Sequence, residues 1–407
     1  MAGTRSLTGK NIVQIQLENR SALLKLLRQN NHVCRKELAE MTGLTGAAVT
    51  NLIRDLIAVD LVSEDREYNG PLNRNAVSLK INFENFFVIG VTLRRGELTC
   101  VVSDLSGKLI EKNSLLLELD ETVDKTLSCL EKIVNRYMCN AHYKGRILGM
   151  GVSVPGPLNL EKGEINFLIN MPSWSEIMPD WRETPIKKYL EERFGLPVIL
   201  DKLANAAVLA EKWFGCGKKY NNIISILVSK GIGAGIITDG RIFHGAFGSA
   251  GDIGHVSIDY NGSQCGCGNK GCLELYCSIL ALLKKAQDIY GFNTISDLNV
   301  IRERVAKGDK KLSELVVESG QYLGYAIVNL AKTFNPELIV LHGDMSDFGM
   351  IWFNSVKQVV NERMLPETRV KPEISLSTLP ESPILLGTVA MVCEYVFEHP
   401  YMEYFKK

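Results

Sequence analysis

The chain has 407 residues, 46% of them hydrophobic, with 46 Lys+Arg against 46 Asp+Glu and a formal net charge of zero. That length holds two or three domains with sizeable cores, and the charge balance excludes a polybasic nucleic-acid coat or a membrane-surface protein, so any DNA contact has to be local. No run approaches the roughly 18 apolar residues of a membrane span, and the opening MAGTRSLTGKNIVQIQ lacks the apolar stretch of a secretory signal, so the expected location is the cytoplasm.

Residues 11–58 carry apolar side chains at helical spacing: Ile15, Leu23, Leu24, Leu27, Leu38, Met41, Val49, Leu52, Ile53 and Leu56. Inside this stretch Ala39 is small where two helices cross, and Gly43 permits the positive φ of a tight turn. Val49 and Leu52 face the first helix, and Thr45 caps the second through its hydroxyl. Two short strand-like runs follow, at 61–63 and 76–79, joined by a polar turn containing Asn69-Gly70-Pro71, which makes a wing hairpin. A winged helix-turn-helix is therefore expected over residues 1–82. The register presents Thr45, Ala47, Thr50, Asn51 and Arg54 to a major groove, with Asn51 the best base reader and Arg74 in the wing near the backbone or minor groove. Lys10, Arg35, Lys36 and Arg54 are the expected phosphate contacts. A plain αα-hairpin is the alternative; the registered Ala, Gly and apolar positions and the Arg-bearing hairpin favour double-stranded operator DNA as the partner.

Beyond Phe83 strands and helices alternate. Strands are expected at 87–92, 98–103, 147–154, 197–200, 222–228 and 234–238, and helices at 122–140, 186–194, 204–214 and 312–334, an α/β pattern without a fixed-period repeat. Of ten cysteines, Cys265, Cys267 and Cys272 crowd into one Gly-rich loop downstream of His255. Three thiolates and an imidazole suit a closed tetrahedral Zn2+ site of structural type, with no position left for a catalytic water. Its expected task is to hold the loop around Glu274 and orient His255. Free buried cysteines are the alternative.

Gly-Val-Ser-Val-Pro-Gly-Pro at 151–157, Ala-Asn-Ala-Ala-Val-Leu-Ala-Glu at 204–211, Gly-Ala-Phe-Gly-Ser-Ala-Gly-Asp-Ile-Gly-His at 245–255 and the cysteine loop together resemble the ROK group of repressors, open reading frames and kinases. With its N-terminal winged helix the chain looks like the xylose-repressor and N-acetylglucosamine-repressor branch. The resemblance implies an α/β body with a two-lobed, actin-like ATPase fold of sugar-kinase type. Lobe 1 would span 83–200, closed by 380–407, and lobe 2, with the zinc loop, 201–379. It further implies zinc at His255, Cys265, Cys267 and Cys272, a sugar site between the lobes, and homodimers or tetramers suited to paired operator half-sites.

Departures from the family pattern shape the functional expectation. Sugar kinases of the family carry an Asn-Asp pair before the Ala-Asn dipeptide, whose Asp takes the proton from the attacking hydroxyl. Here the pair is Lys202-Leu203. The first phosphate loop, Asp-x-Gly-Gly-Thr in kinases, reads Thr92-Leu93-Arg94-Arg95-Gly96; the second has Lys230 for the usual Thr; the adenosine-side loop reads Leu341-His342-Gly343-Asp344. Four losses together imply a sensor that is not an enzyme. An active ROK-type, ATP-dependent sugar kinase is the alternative, and a zinc-dependent protein scaffold a third. By the family pattern Asp252, His255 and Glu274 are left to bind sugar hydroxyls, Asp252 and Glu274 equally well bracing the zinc loop, with Asn170 and Trp174 on a loop that closes over them. Lys202 and Lys230 add cations, which points to a sugar phosphate or sugar acid as effector. Effector binding is expected to release the protein from operator DNA.

Overall fold

A computed structural model describes residues 11–30, 32–66, 77–94, 96–117, 122–156, 158–165, 184–292, 294–364 and 371–405. Lys10, Arg74, Arg95, Asn170 and Trp174 lie outside these residues.

The head begins with helix α1 (Ile12–Gln29), whose first turn is capped by the Asn11 carboxamide oxygen accepting from Gln14 N at 2.8 Å. Helix α2 (Arg35–Thr42) ends at Gly43, where φ is +70°, and the chain re-enters helix α3 (Gly46–Ala58) under the Thr45 cap, whose Oγ1 accepts from Ala48 N at 3.2 Å. A three-stranded sheet, order β1-β3-β2, completes the winged fold from β1 (Val33–Cys34), β2 (Val62–Asp65) and β3 (Ser78–Ile81). Leu23, Leu24, Leu38, Val49, Ile53 and Leu56 are fully buried between these elements. Ile15 and Met41 depart from expectation, being 44% and 53% exposed. They sit in the right helical phase, but no described residue buries the first turns of α1 or the last of α2.

Lobe 1 is a five-stranded sheet, order β10-β7-β4-β5-β6, built from β4 (Phe87–Arg94), β5 (Glu97–Asp104), β6 (Leu109–Leu116), β7 (Ile147–Val154) and β10 (Val198–Lys202). Strands β4, β5 and β6 pair antiparallel, while β7 and β10 add in parallel. Helices α4 (Val123–Cys139) and α5 (Ile186–Phe194) cover its outer face, and a small ribbon, β8 (Leu158–Asn159) with β9 (Glu164–Ile165), lies beside it. Lobe 2 repeats the plan in the order β13-β12-β11-β14-β15, from β11 (Ile223–Val228), β12 (Ile232–Thr238), β13 (Arg241–Ile242), β14 (Leu338–His342) and β15 (Glu373–Leu376). Again the first three strands are antiparallel and the last two parallel. This duplicated topology was invisible as a sequence repeat because it conserves strand order and not residues.

Two helices fill the space between the sheets: α6 (Leu203–Trp213) and, near the end of the chain, α12 (Pro383–Glu398). Almost every residue of α6 is buried, and α12 is apolar around most of its circumference, as a helix enclosed on all sides has to be. They cross at backbone distance, since a Cβ on Gly387 would stand 1.9 Å from Ala206 O. One continuous core runs from Leu23, Leu27 and Leu56 of the head through Val88 and Val101 of lobe 1 to Ala206, Val389, Phe397 and Val340. Each Leu or Phe fully buried in it contributes about 1.5–3 kcal/mol of burial free energy. The head is therefore packed onto the central helices and not hung from a tether.

Lobe 2 carries its insertions between β13 and β14, in chain order the cysteine loop and helices α7 (Glu274–Cys277), α8 (Ile279–Tyr290), α9 (Leu298–Ala306) and α10 (Lys310–Phe334); α11 (Met350–Arg363) follows β14. Among the described residues no helix is long and apolar enough to cross a membrane.

Candidate functional site

Strand β10 delivers Lys202 to the space between the lobes, where the chain turns directly into α6. The Lys202 ammonium donates to Ala250 O at 2.7 Å and to Asp252 Oδ1 at 3.0 Å. Its side chain is 5% exposed against 41% for Asp252, so the pair is reached by solvent from the Asp252 side. Gly156 of lobe 1 makes room for the lysine stem, since a Cβ there would lie 2.4 Å from Lys202 Cδ. Thus two residues that the sequence offered separately, Lys202 and Asp252, form one ion pair that ties the end of β10 to the 250–252 segment of lobe 2.

Sequence reasoning missed the groups beside this pair. Asp201 Oδ1 accepts from Lys202 N and Asn205 Nδ2, both at 2.7 Å, and its Oδ2 accepts from His244 Nε2 at 2.8 Å. Asp201 and Asn205 are buried, and Asn205 Oδ1 has no partner. The signal in the sequence was the i, i+4 spacing of Asp201 and Asn205 around the start of α6; His244 gave none.

The metal-ligating atoms of His255, Cys265, Cys267 and Cys272 lie within 4.8 Å of one another. His255 Nδ1 is 3.7 Å from Cys265 Sγ, and Cys267 Sγ is 3.6 Å from Cys272 Sγ. Ligands on a tetrahedron with metal–sulfur bonds of about 2.3 Å stand about 3.8 Å apart, so the four groups already have the spacing to hold a metal ion. Burial pushes the Cys265 and Cys272 thiols up, whereas at Cys267 burial is outweighed by hydrogen bonds from the Asn269 backbone and the two neighbouring thiols, which bring it down. The loop is braced by Asn269 Nδ2 donating to His255 O at 3.1 Å and by Gly271, where φ is +62° and a Cβ would stand 1.7 Å from Asp259 O, which excludes any side chain. Two residues after Cys272 comes Glu274, whose Oε2 accepts from Ile232 N at 2.9 Å. Glu274 therefore braces the β11–β12 turn. Lys230 is exposed at that same turn and makes no polar contact with Lys202 or Asp252.

The loops that match kinase phosphate sites are filled by their own side chains. Thr92 Oγ1 accepts from Ser153 Oγ at 3.3 Å inside lobe 1. Ser229 Oγ donates to Asp344 across the mouth of lobe 2, and Arg302 binds Asp344 O at 3.0 Å. His342 is fully buried with its Nε2 unpartnered, and burial together with the nearby Arg94 charge pushes its pKa down to about 3. The ring is therefore neutral at the end of β14.

In the head, Thr45, Ala47, Thr50, Asn51 and Arg54 share the exposed face of α3. The Thr50 hydroxyl donates back to Gly46 O at 2.8 Å, leaving its lone pairs outward. Lys36 and Arg54 are 76% and 72% exposed, whereas Arg35 is held by Glu64 at 2.8 Å and braces α2 against β2.

The far end of α6 meets the head. Arg28 of α1 stacks on the Trp213 ring at 3.7 Å, Trp213 Nε1 donates to Glu394 of α12, and Lys25 pairs with Glu398 at 3.1 Å. Helix α6 thus has its first turn in the cleft and its last under the recognition head.

Known proteins share this architecture. The winged helix-turn-helix DNA-binding pattern matches residues 17–62 and the ROK family pattern residues 88–394. The chain is 30% identical to the xylose repressor of Bacillus spizizenii (strain ATCC 23059 / NRRL B-14472 / W23) over 93% of this chain and 96% of that one. It superposes on the crystal structure of a ROK family transcriptional regulator, a homolog of the E. coli MLC protein, with a TM-score of 0.81, 26% identity, and 96% and 99% of the two chains covered. For the ROK hexokinase of Thermus thermophilus the TM-score is 0.62, with 26% identity and 75% and 97% covered. A winged DNA-binding head continuous with two equivalent lobes, matched over three quarters of its length by one family pattern, places this chain in the ROK family.

Proposed function

We propose that the chain is a sugar-responsive, DNA-binding transcriptional repressor whose kinase-like body senses an effector without phosphoryl transfer. The observation that carries it is the single core joining the recognition head to α6 and α12, with α6 running from the Lys202–Asp252 pair to the Arg28–Trp213 stack. A sugar or sugar derivative with an acid or phosphate group competes for Lys202 and separates it from Asp252. The 250–252 segment then shifts relative to β10, and α6, which starts at the next residue, transmits the change to the head. Kinship with a xylose repressor supports a sugar as the effector class.

In this reading Lys202, Lys230, Asp252, His255 and Glu274, with Asn170, hold the effector. Thr45, Ala47, Thr50, Asn51 and Arg54 meet the major groove, with Lys36, Arg35 and Arg74 toward the phosphates. Zn2+ held by His255, Cys265, Cys267 and Cys272 supplies a structural crosslink that fixes Glu274 beneath the β11–β12 turn. Domains of 1–82, 83–200 with 380–407, and 201–379 describe the working parts, and a cytoplasmic homodimer or tetramer places two heads on paired half-sites. Leu203 has no proton acceptor for a sugar hydroxyl and Thr92 no carboxylate for Mg2+, which supports a sensor over an enzyme.

A second reading, an ATP-dependent sugar kinase, draws on the likeness to the hexokinase fold. A thermal-shift screen of the whole chain against neutral sugars, sugar phosphates, sugar acids and ATP with Mg2+ separates the two. A rise with a sugar compound alone, followed by release of bound duplex DNA by that compound, is the expected result; a rise with ATP and Mg2+, together with ADP formation, would overturn the sensor.

A further inference from the structure

We propose a second ligand site, distinct from the cleft: a cavity at the junction of head and body that binds a small phosphorylated metabolite. The cavity has a volume of about 710 Å³, within the range of metabolite sites. Head, lobe 1 and the segment after α6 all contribute to its wall. Arg28 comes from α1, Ser106 from the β5–β6 turn, and Lys212, Lys218, Lys219 and Asn221 from the end of α6 and the chain beyond it.

Charge identifies the ligand. In a chain with equal numbers of acidic and basic residues, four of the eleven residues lining this cavity are cations and none is a carboxylate. Among the described residues none of the four makes an ion pair. Arg28 Nε is buried without an acceptor, and the guanidinium spends its face on Trp213, leaving its N–H edges uncommitted. Lys212 is 8% exposed and donates only to neutral oxygens, those of Lys218, Tyr220 and Asn221. Burial and then the Arg28 charge push its pKa down, and the more distant charges of Glu394 and Glu337 offset this only in part. The neighbouring carboxylates are engaged elsewhere. Asp104 accepts from Ser106 and Lys108 in its own turn, Glu394 accepts from Trp213 Nε1, and Glu337 accepts from the backbone of Asn221 and Asn222. A dianionic phosphate ester supplies the missing charge and enough acceptors for a guanidinium and several ammonium groups, while Asn221 and Gln29 offer hydrogen bonds to hydroxyls. Because Arg28 belongs to the head and Lys212 to α6, an occupant crosslinks head to body. The site does not depend on the cleft reading.

The test uses the full chain, hexose 6-phosphates, the parent hexoses and inorganic pyrophosphate at millimolar concentration, with melting temperature and calorimetric affinity as readouts. The expected result is a calorimetric binding event for phosphorylated sugars that is lost, with affinity at least about tenfold weaker, in the double variant Lys218→Glu, Lys219→Glu, and that is separate from the event at the cleft, the one Lys230→Glu weakens. Both of these lysines are exposed, so that variant folds. Pyrophosphate acting as well as the sugar phosphates, and lost in the same variant, would support the anion site and remove the sugar from the recognition. Three results would overturn the site: no shift with any of these anions, a calorimetric profile that the double variant leaves unchanged, or one in which Lys230→Glu removes every binding event. So would a double variant that binds mixed-sequence duplex DNA more weakly in anion-free buffer with a shallower salt dependence, because these lysines would then serve DNA phosphates.

Discussion

The two lobes share one strand order and differ in what they hang on it. In lobe 1 a single helix, α4, connects β6 to β7, and Thr92 and Ser153 near the cleft are paired with each other. In lobe 2 residues 243–337 intervene between β13 and β14 and bring the 250–252 segment, the cysteine loop and Glu274 to the cleft. The sheet is a frame that both lobes need; the partner of Lys202, the cysteine cluster and Glu274 sit in what was inserted into one of them. Lobe 1 contributes instead the route to the head, through the core it shares with α1, α6 and α12.

The contrast is tested most strongly at the cysteine loop. Cys272→Ser is expected to abolish binding of one metal ion per chain, read by native mass spectrometry, and to destabilise the protein by more than about 3 kcal/mol, with proteolysis starting in lobe 2 and sparing lobe 1 and head. An unchanged melting temperature would mean that the loop holds itself. Next is Lys202→Met, which leaves Asp252 without its cation. Because Asp252 is partly exposed the cost is about 2–3 kcal/mol; effector affinity should fall, and DNA affinity measured without effector should fall with it, because the variant breaks the same pair that the effector is proposed to open.

His342 sharpens the comparison through pH. Its folded pKa of about 3 lies below the ordinary 6.5, so the unfolded chain takes up the proton first. Its contribution is complete above pH 6.5 and falls as pH drops toward 3, by about 2 kcal/mol at pH 5. His342→Leu should flatten the acid limb of the denaturation profile; an identical limb would show that the ring is not the titrating group. The smallest expected effect is confined to the head: Thr45→Ala removes a helix cap worth about 1 kcal/mol, lowering DNA affinity and leaving sugar binding untouched.

Much of this protein is written in local pattern. Thr45 caps α3 and Gly43 turns the chain because a hydroxyl and a missing Cβ act within a few residues, so the head was legible down to its exposed recognition face. The strands from Phe87 to Thr238 followed from apolar runs, whereas β6 escaped notice because its burial alternates along an exposed edge. The clustering of His255, Cys265, Cys267 and Cys272, which could hold a metal ion, was legible because three of them lie in one loop. Asp201 with His244, Arg28 with Trp213, and Ser229 with Asp344 were not, since each pair is brought together by the packing of distant segments. The sequence by itself determined which residues could cap, turn, bury and ligate, because those preferences are set by each side chain and its near neighbours. Only the tertiary structure decided that Lys202 would meet Asp252 and that α6 would link the cleft to the head, because long-range pairing depends on how two sheets and their shared core close around each other.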